Sequence, residues 1–188
     1  MKNIINEVIK TRRSVYPPMY TGEIVDDKII HQMLENANWA PSHKRTEPWR
    51  FTVFKGDGLK KLAEFQSKLY KKLSRDKFEP NKYKMLKEKP LQCSHVISIG
   101  AKISGLVPEI EEVEAVACAV QNMCLTASTY QLGAYWGSGG ITYKQESKVF
   151  FDLAKNDLLL GFLFIGVPKS QTSLGKRGDI NDKVRWIE

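Results

Sequence analysis

Apolar residues recur at helical spacing from the start of the chain. Ile4, Ile5, Val8 and Ile9 share one face of a helix predicted over residues 2–12. A second helix is predicted from Asp26, a suitable N-cap, through Ile29, Ile30, Met33, Leu34 and Ala37 until Pro41 ends it. The run Arg50-Phe-Thr-Val-Phe-Lys55 alternates as a strand does, and Gly56-Asp-Gly58 closes it. Residues 59–75 return to helical spacing, with Leu59, Leu62, Phe65, Leu69 and Leu73 inward, and Val96–Ala101 reads as a second strand. The longest helix opens at Pro108 with Glu109, Glu111, Glu112 and Glu114, placing negative charge where the helix dipole favours it. Val113, Val116, Ala117, Val120, Met123, Cys124 and Ala127 then form a broad face rich in small residues, and Gly133 is the expected C′ residue. A strand Ala134–Gly137, a short helix near 145–154 and an apolar strand over 158–167 follow, and 169–188 is a polar, irregular tail. Interleaved helices and strands predict an α/β or α+β class, with no repeat or linker dividing residues 1–188.

The chain has 188 residues, 42% hydrophobic and 27% charged, which suits one domain with a sizeable core and excludes disordered and low-complexity classes. No stretch approaches the ~18 consecutive apolar residues of a membrane-spanning helix. The N-terminus lacks the apolar core of a secretory signal, so a cytoplasmic protein without membrane association is expected. Cys93, Cys118 and Cys124 show no metal-type spacing and read as buried reduced thiols. The net charge of +8 first suggests nucleic acid, an anionic surface or phosphorylated ligands. Its location changes that picture: eleven basic and four acidic residues between Lys60 and Lys89 carry +7 of it. Ten of the eleven are Lys and aromatics there are sparse, which describes a solvated helical face better than a base-stacking surface. A basic nucleic-acid-binding module remains an alternative of another class, but no nucleic-acid partner is expected.

Several common constellations are absent. There is no G-x-x-x-x-G-K-[ST] and no G-x-G-x-x-G after a strand. Trp136-Gly-Ser138-Gly lacks the first glycine of a nucleophile elbow. Cys118 and Cys124 fall on roughly opposite faces of their helix, and His31, His43 and His95 lie in separate segments, so no metal site is predicted. The chemistry is expected to come through something the chain binds.

Four stretches carry the remaining candidates. Thr11-Arg12-Arg13-Ser14 offers two forked guanidiniums beside a hydroxyl, which suits a phosphate; it equally suits a helix C-terminus decorated with cations. Ala40-Pro41-Ser42-His43-Lys44-Arg45-Thr46-Glu47-Pro48-Trp49 packs donors between two prolines, as a polar planar ligand or an ordinary surface loop would allow. Trp136-Gly137-Ser138-Gly139-Gly140 ends a strand with residues that let backbone N–H groups approach a flat ligand, or form a glycine-rich turn. Gly161–Pro168 reads as a core strand.

In order and chemistry these stretches resemble the FMN-dependent nitroreductase family, most closely its short, single-domain branch. The resemblance runs from about Ile9 to Pro168 and rests on R-R-S, A-P-S-x-x-x-x-x-P-W-x-F, the helix Ala115–Asn122 leading to Leu132-Gly-Ala-x-Trp136, and the final G-x-x-x-I-G-x-P. It implies an α+β sandwich, a mostly antiparallel sheet flanked by helices, in an intertwined homodimer with FMN at the interface. By that similarity Arg12, Arg13 and Ser14 hold the phosphate and ribityl chain, and His43 and Arg45 approach from the partner subunit. Trp136, Gly137, Ser138 and Gly139 line the ring, the long helix supplies dimer surface through its small-residue face, and a tail cation, Lys176, Arg177 or Arg185, reaches the phosphate. No residue of the chain is assigned as catalytic. The implied activity is a ping-pong reaction in which NAD(P)H reduces the flavin and a nitro compound, quinone or related small-molecule acceptor reoxidises it. A flavin binder of the same fold with dehydrogenase, dehalogenase or storage chemistry is the alternative. One departure is visible: the family commonly has N-x-Q-P-W where this chain has Arg45-Thr46-Glu47-Pro48-Trp49.

Overall fold

The structure is a computed structural model and describes residues 4–170 and 175–188. Four strands form an antiparallel sheet in the order β1-β2-β4-β3: β1 Trp49–Lys55, β2 His95–Ala101, β3 Gly133–Gly137 and β4 Leu158–Gly166. The central strands β2 and β4 are buried along almost their whole length, which explains why they read as continuous apolar runs. β1, at an edge, keeps partial exposure, and its burial departs from the predicted alternation: Trp49 and Phe54, on opposite faces, are buried while Val53 is exposed.

Helices cover both faces. α2 (Asp27–Asn38) and α5 (Glu109–Thr129) pack on one side, around Met33, Ile97, Val116, Met123, Leu163 and Ile165. α3 (Asp57–Ser74) and α4 (Pro80–Glu88) lie on the other, around Leu62, Val96, Phe151, Phe162 and Phe164. α1 (Ile4–Thr11) buries no residue and lies against α5; α6 (Gln145–Lys148) continues as a single 3-10 turn to Phe151. The α+β class and antiparallel sheet are as expected, and Asp26 caps α2 by accepting from the Lys28 N–H at 2.8 Å.

Several details differ. The left-handed residue after α5 is Gln131 (φ 56), while Gly133 opens β3. Glycine is required there by close packing: a Cβ would lie 2.6 Å from the Tyr20 ring and 2.9 Å from Val15. The small residues Ala115, Ala119 and Ala127 of α5 turn inward, so that face is filled within one chain rather than at an interface. Cys93 and Cys124 are buried but Cys118 is exposed, and all three are free thiols. α4 has no counterpart among the predicted elements, because it buries only Leu86 and its pattern is drowned by lysines.

A polar chain ties α2 to the end of β1. His95 is 1% exposed; its Nδ1 lies 2.9 Å from Ser94 Oγ and its Nε2 3.1 Å from Asp27 Oδ1, while Ser94 Oγ accepts from the Val25 N–H. Lys55 pairs with the same Asp27 carboxylate. Burial lowers the His95 pKa despite the neighbouring carboxylate. Neutral His95 therefore donates from Nε2 to Asp27 and accepts the Ser94 hydroxyl proton at Nδ1.

Candidate active site

The segment after α1 runs along the free edge of β3. Ser14 bridges Ala134 in parallel register and the Val15 N–H donates to the Ala134 carbonyl at 3.1 Å. This pairing brings Arg12-Arg13-Ser14 to the strand that ends in Trp136-Gly137. Arg12 approaches Cys124 of α5: burial pushes that thiol up to about 11, and the guanidinium works against the rise. Arg13 donates to the carbonyls of Lys10 and Arg12 at 2.7 and 2.6 Å, closing the C-terminus of α1. The helix-capping role is thus met by Arg13, and Ser14 is exposed.

The tail returns to this place. A Cβ on Gly175 would lie 2.7 Å from Arg13 Cζ, so the backbone there rests against the guanidinium. Arg177 follows two residues later, exposed, donating to the Lys176 carbonyl at 2.8 Å.

At the far end of β3, Trp136 is held by a feature that periodicity did not disclose. The β2–β4 ladder shifts register between Ile99 and Gly100, leaving Leu160 as the extra residue of a bulge. Its carbonyl accepts the Trp136 Nε1–H at 3.2 Å. Gly161 beside it has φ 130, and a Cβ there would lie 2.5 Å from the Gly137 carbonyl oxygen and 3.0 Å from Trp136 Nε1. Only glycine admits this close approach. A glycine inside an apolar strand was the available signal in the sequence.

The following glycines differ in kind. The space of a Gly137 Cβ is taken by the Tyr135 ring at 2.8 Å, whereas a Cβ on Gly139 would meet nothing within 4 Å. Gly139 and Ser138 are exposed. The backbone at Gly139 is therefore bare by choice of residue and not by crowding. Guanidiniums and a hydroxyl at one end of an edge strand, with a bare glycine turn and an indole at the other, suit a phosphorylated planar group such as FMN.

The Pro-bracketed loop sits elsewhere in the same chain. It forms a short turn at His43–Arg45 against the start of α5, where His43 Nδ1 lies 2.5 Å from Glu111 Oε2 and Lys44 Nζ donates to the Leu106 carbonyl at 3.2 Å. Lys44, Arg45 and Glu47 all have positive φ (50, 54 and 42), a concentration of left-handed non-glycine residues typical of functional loops. Arg50 braces the turn by donating to the Glu47 carbonyl, and Ser42 Oγ accepts the Glu47 N–H. Glu111 and Cys124 stand thirteen residues apart on α5, or about 20 Å at ~1.5 Å per residue. β1 and β3 are opposite edges of the sheet, roughly 14 Å apart at ~4.8 Å per strand. One chain thus brings Arg12, Arg13 and Ser14 to the strand of Trp136–Gly139 but holds His43 and Arg45 apart from them.

Beside the N-terminal segment, α1, α2 and α5 leave a largely apolar groove of about 690 Å³, lined by Ile4, Ile5, Val8, Trp39, Leu125 and Tyr130 among others. Trp39 is 84% exposed. Asn122 and Asn36 form a polar floor: Asn122 Nδ2 donates to the Asn36 carbonyl and Asn36 Nδ2 to Thr126 Oγ1. Among the described residues no group of three or more His, Cys, Asp or Glu side chains could hold a metal ion, and no helix is long and apolar enough to cross a membrane.

These features describe an α+β protein with two guanidiniums and a hydroxyl beside an edge strand that runs into a bare glycine turn. The chain belongs to the nitroreductase family, whose family model matches residues 9–167. A Bacillus subtilis protein named "Putative NAD(P)H nitroreductase YfhC" is 26% identical over 186 residues, covering 96% of this chain and 93% of that protein. Among solved structures, a nitroreductase-like family protein from Bacillus cereus superposes with a TM-score of 0.83 at 28% identity, over 98% of this chain and 96% of that one. A nitroreductase with bound FMN from Bacteroides fragilis shares the fold, with a TM-score of 0.73 at 20% identity and complete coverage of both chains.

Proposed function

We propose that this protein is an FMN-dependent oxidoreductase that uses NAD(P)H in a ping-pong reaction to reduce nitro compounds, quinones or related acceptors, as a cytoplasmic homodimer. The observation that carries the reading is the Ser14–Ala134 bridge, which joins the Arg-Arg-Ser donors to the strand ending in the open turn at Gly139. Bound FMN supplies hydride transfer between nicotinamide and acceptor. Arg12, Ser14 and a tail cation such as Arg177 bind the phosphate, with Arg13 fixing the end of α1 and supporting the tail through Gly175. Trp136, Gly137, Ser138 and Gly139 bind the ring face, and the Leu160 carbonyl orients the indole. His43 and Arg45 act on the site of a second copy, because their own chain holds them some 20 Å along α5 from Arg12. Arg45 then places its charge at the ring edge that becomes negative on reduction, favouring the reduced form. The groove between α1, α2 and α5 is the apolar surface this pairing covers.

The test is direct. Purified protein should be yellow or take up added FMN, sediment as a dimer, and have its flavin band bleached anaerobically by NADH or NADPH, with return on adding a nitroarene or quinone. A protein that binds no FMN overturns the proposal. FMN that binds but resists both nicotinamides would favour the same fold serving a different flavin chemistry.

A further inference from the structure

The loop that carries His43 and Arg45 is braced along its backbone. The Thr46 N–H donates to the His43 carbonyl at 3.2 Å and the Arg45 N–H to the Ser42 carbonyl at 3.4 Å, closing the short turn. Lys44 reaches across to the 102–107 segment through the Leu106 carbonyl. That segment is itself tied to α5: Glu112, 1% exposed, accepts the Ser104 N–H on both carboxylate oxygens, at 3.0 and 3.3 Å. Loop, segment and the start of α5 therefore form one unit. The freedom left to His43 is the rotation of its imidazole and the position of its proton.

Glu111 removes that freedom. It stands in the first turn of α5, on the rigid side of the unit, with Oε2 2.5 Å from His43 Nδ1. An ionised carboxylate only accepts, so the shared proton belongs to Nδ1. In the neutral ring Nε2 is then a bare lone pair, and it has no hydrogen-bond partner among the described residues. His95 shows the reverse arrangement, donating from Nε2 to Asp27. The pair does not support the fold: the His43 and Glu111 side chains are 53% and 37% exposed, and exposed pairs contribute little stability. A pair of little structural use, which fixes one ring nitrogen on a rigid element and leaves the other open, orients that open atom.

We propose that Glu111 is a positioning residue for FMN: through Nδ1 it holds His43 with Nε2 offered to the flavin of a second copy as a hydrogen-bond acceptor. The inference rests on the proposed placement of His43 at that flavin, and its test reads the two apart. The first readout needs no flavin. In a long-range proton–nitrogen NMR correlation at about pH 8.5, above the ordinary imidazole range, His43 should be the Nδ1–H tautomer and His95 the Nε2–H tautomer. His43→Ala identifies the His43 signals, and Glu111→Ala should return His43 to the Nε2–H form. The second readout is FMN titration. Glu111→Ala should weaken FMN about fivefold or more, while its melting temperature stays within about 3 °C of wild type. Glu109→Ala removes the same charge from the same helix end at an exposed position, and should change neither tautomer nor affinity. In the His43→Ala background, Glu111→Ala should cost nothing further. An Nε2–H tautomer for His43 in wild type, or wild-type FMN affinity in Glu111→Ala, overturns the proposal. So does a full additional loss in the His43→Ala background, which would make Glu111 act without the imidazole. A His43→Ala protein that binds FMN as wild type does overturns the placement of His43 at the flavin, and the inference with it; the two single variants tell this failure from that of Glu111 alone.

Discussion

Two glycines near Trp136 carry opposite expectations, and substituting each with alanine separates packing from ligand contact. At Gly161 the new Cβ would lie 2.5 Å from a backbone oxygen and 3.0 Å from the Trp136 indole nitrogen, at φ 130. The conformational strain is about 1–3 kcal/mol, overpacking against backbone is about 1–3 kcal/mol, and losing the Trp136–Leu160 hydrogen bond costs about 1 kcal/mol. One shared relaxation relieves part of all three, so about 3 kcal/mol is expected. At ~2–4 °C per kcal/mol for a chain of this size, Gly161→Ala should melt roughly 6–12 °C below wild type. At Gly139 the Cβ meets nothing within 4 Å and φ is not left-handed, so alanine should leave stability equal or raise it by up to about 1 kcal/mol. The same methyl group enters the space assigned to the flavin and should weaken FMN binding about tenfold or more, a loss of about 1.4 kcal/mol. Calorimetric melting of the flavin-free proteins and FMN titration followed by flavin fluorescence read the two effects independently. A Gly161→Ala protein that melts with wild type, or a Gly139→Ala protein that binds FMN at wild-type affinity, would refute the reasoning.

Three further outcomes follow from the same geometry. Arg12→Ala should weaken FMN by about 10- to 100-fold, the loss of charge-assisted hydrogen bonds worth about 1.5–3 kcal/mol, while riboflavin affinity stays unchanged; an equal loss for riboflavin would remove Arg12 from the phosphate. Burial holds the His95 pKa below its ordinary ~6.5, so its contribution is fully present above that pH and is lost as pH falls through the folded pKa. The urea midpoint should therefore drop between about pH 7 and pH 5.5, and more steeply than in His95→Asn; equal slopes would contradict the buried neutral imidazole. Ile5→Glu, in the groove beside the 84%-exposed Trp39, should convert a sedimenting dimer to monomer and lower FMN occupancy with it; an intact dimer would place the interface elsewhere.

Much of the fold was legible because its elements carry strong local signals. The Asp26 cap, the acidic first turn of α5 and the doubly covered strands β2 and β4 all announce themselves in residue order. α4 was not legible, since nine residues with one buried leucine show no usable periodicity. Gly133 looked like a helix terminator because glycine favours that role, but Tyr20, distant in sequence, claims the space of its side chain. The small residues of α5 announced close packing correctly, while the partner in that packing is the chain's own sheet. The site followed the same division. Donor-rich stretches could be named from composition and order, yet the bridge from Ser14 to Ala134 and the bulge that seats Trp136 depend on strand pairings that no local pattern encodes.

The central claim is tested most directly by anaerobic titration of the purified protein, loaded with FMN, by NADH and by NADPH. Loss of the oxidised-flavin absorbance at one equivalent of either nicotinamide, and its full return on adding one equivalent of a quinone, is the predicted result. A flavin band that neither nicotinamide diminishes, or a protein that retains no FMN, would contradict it.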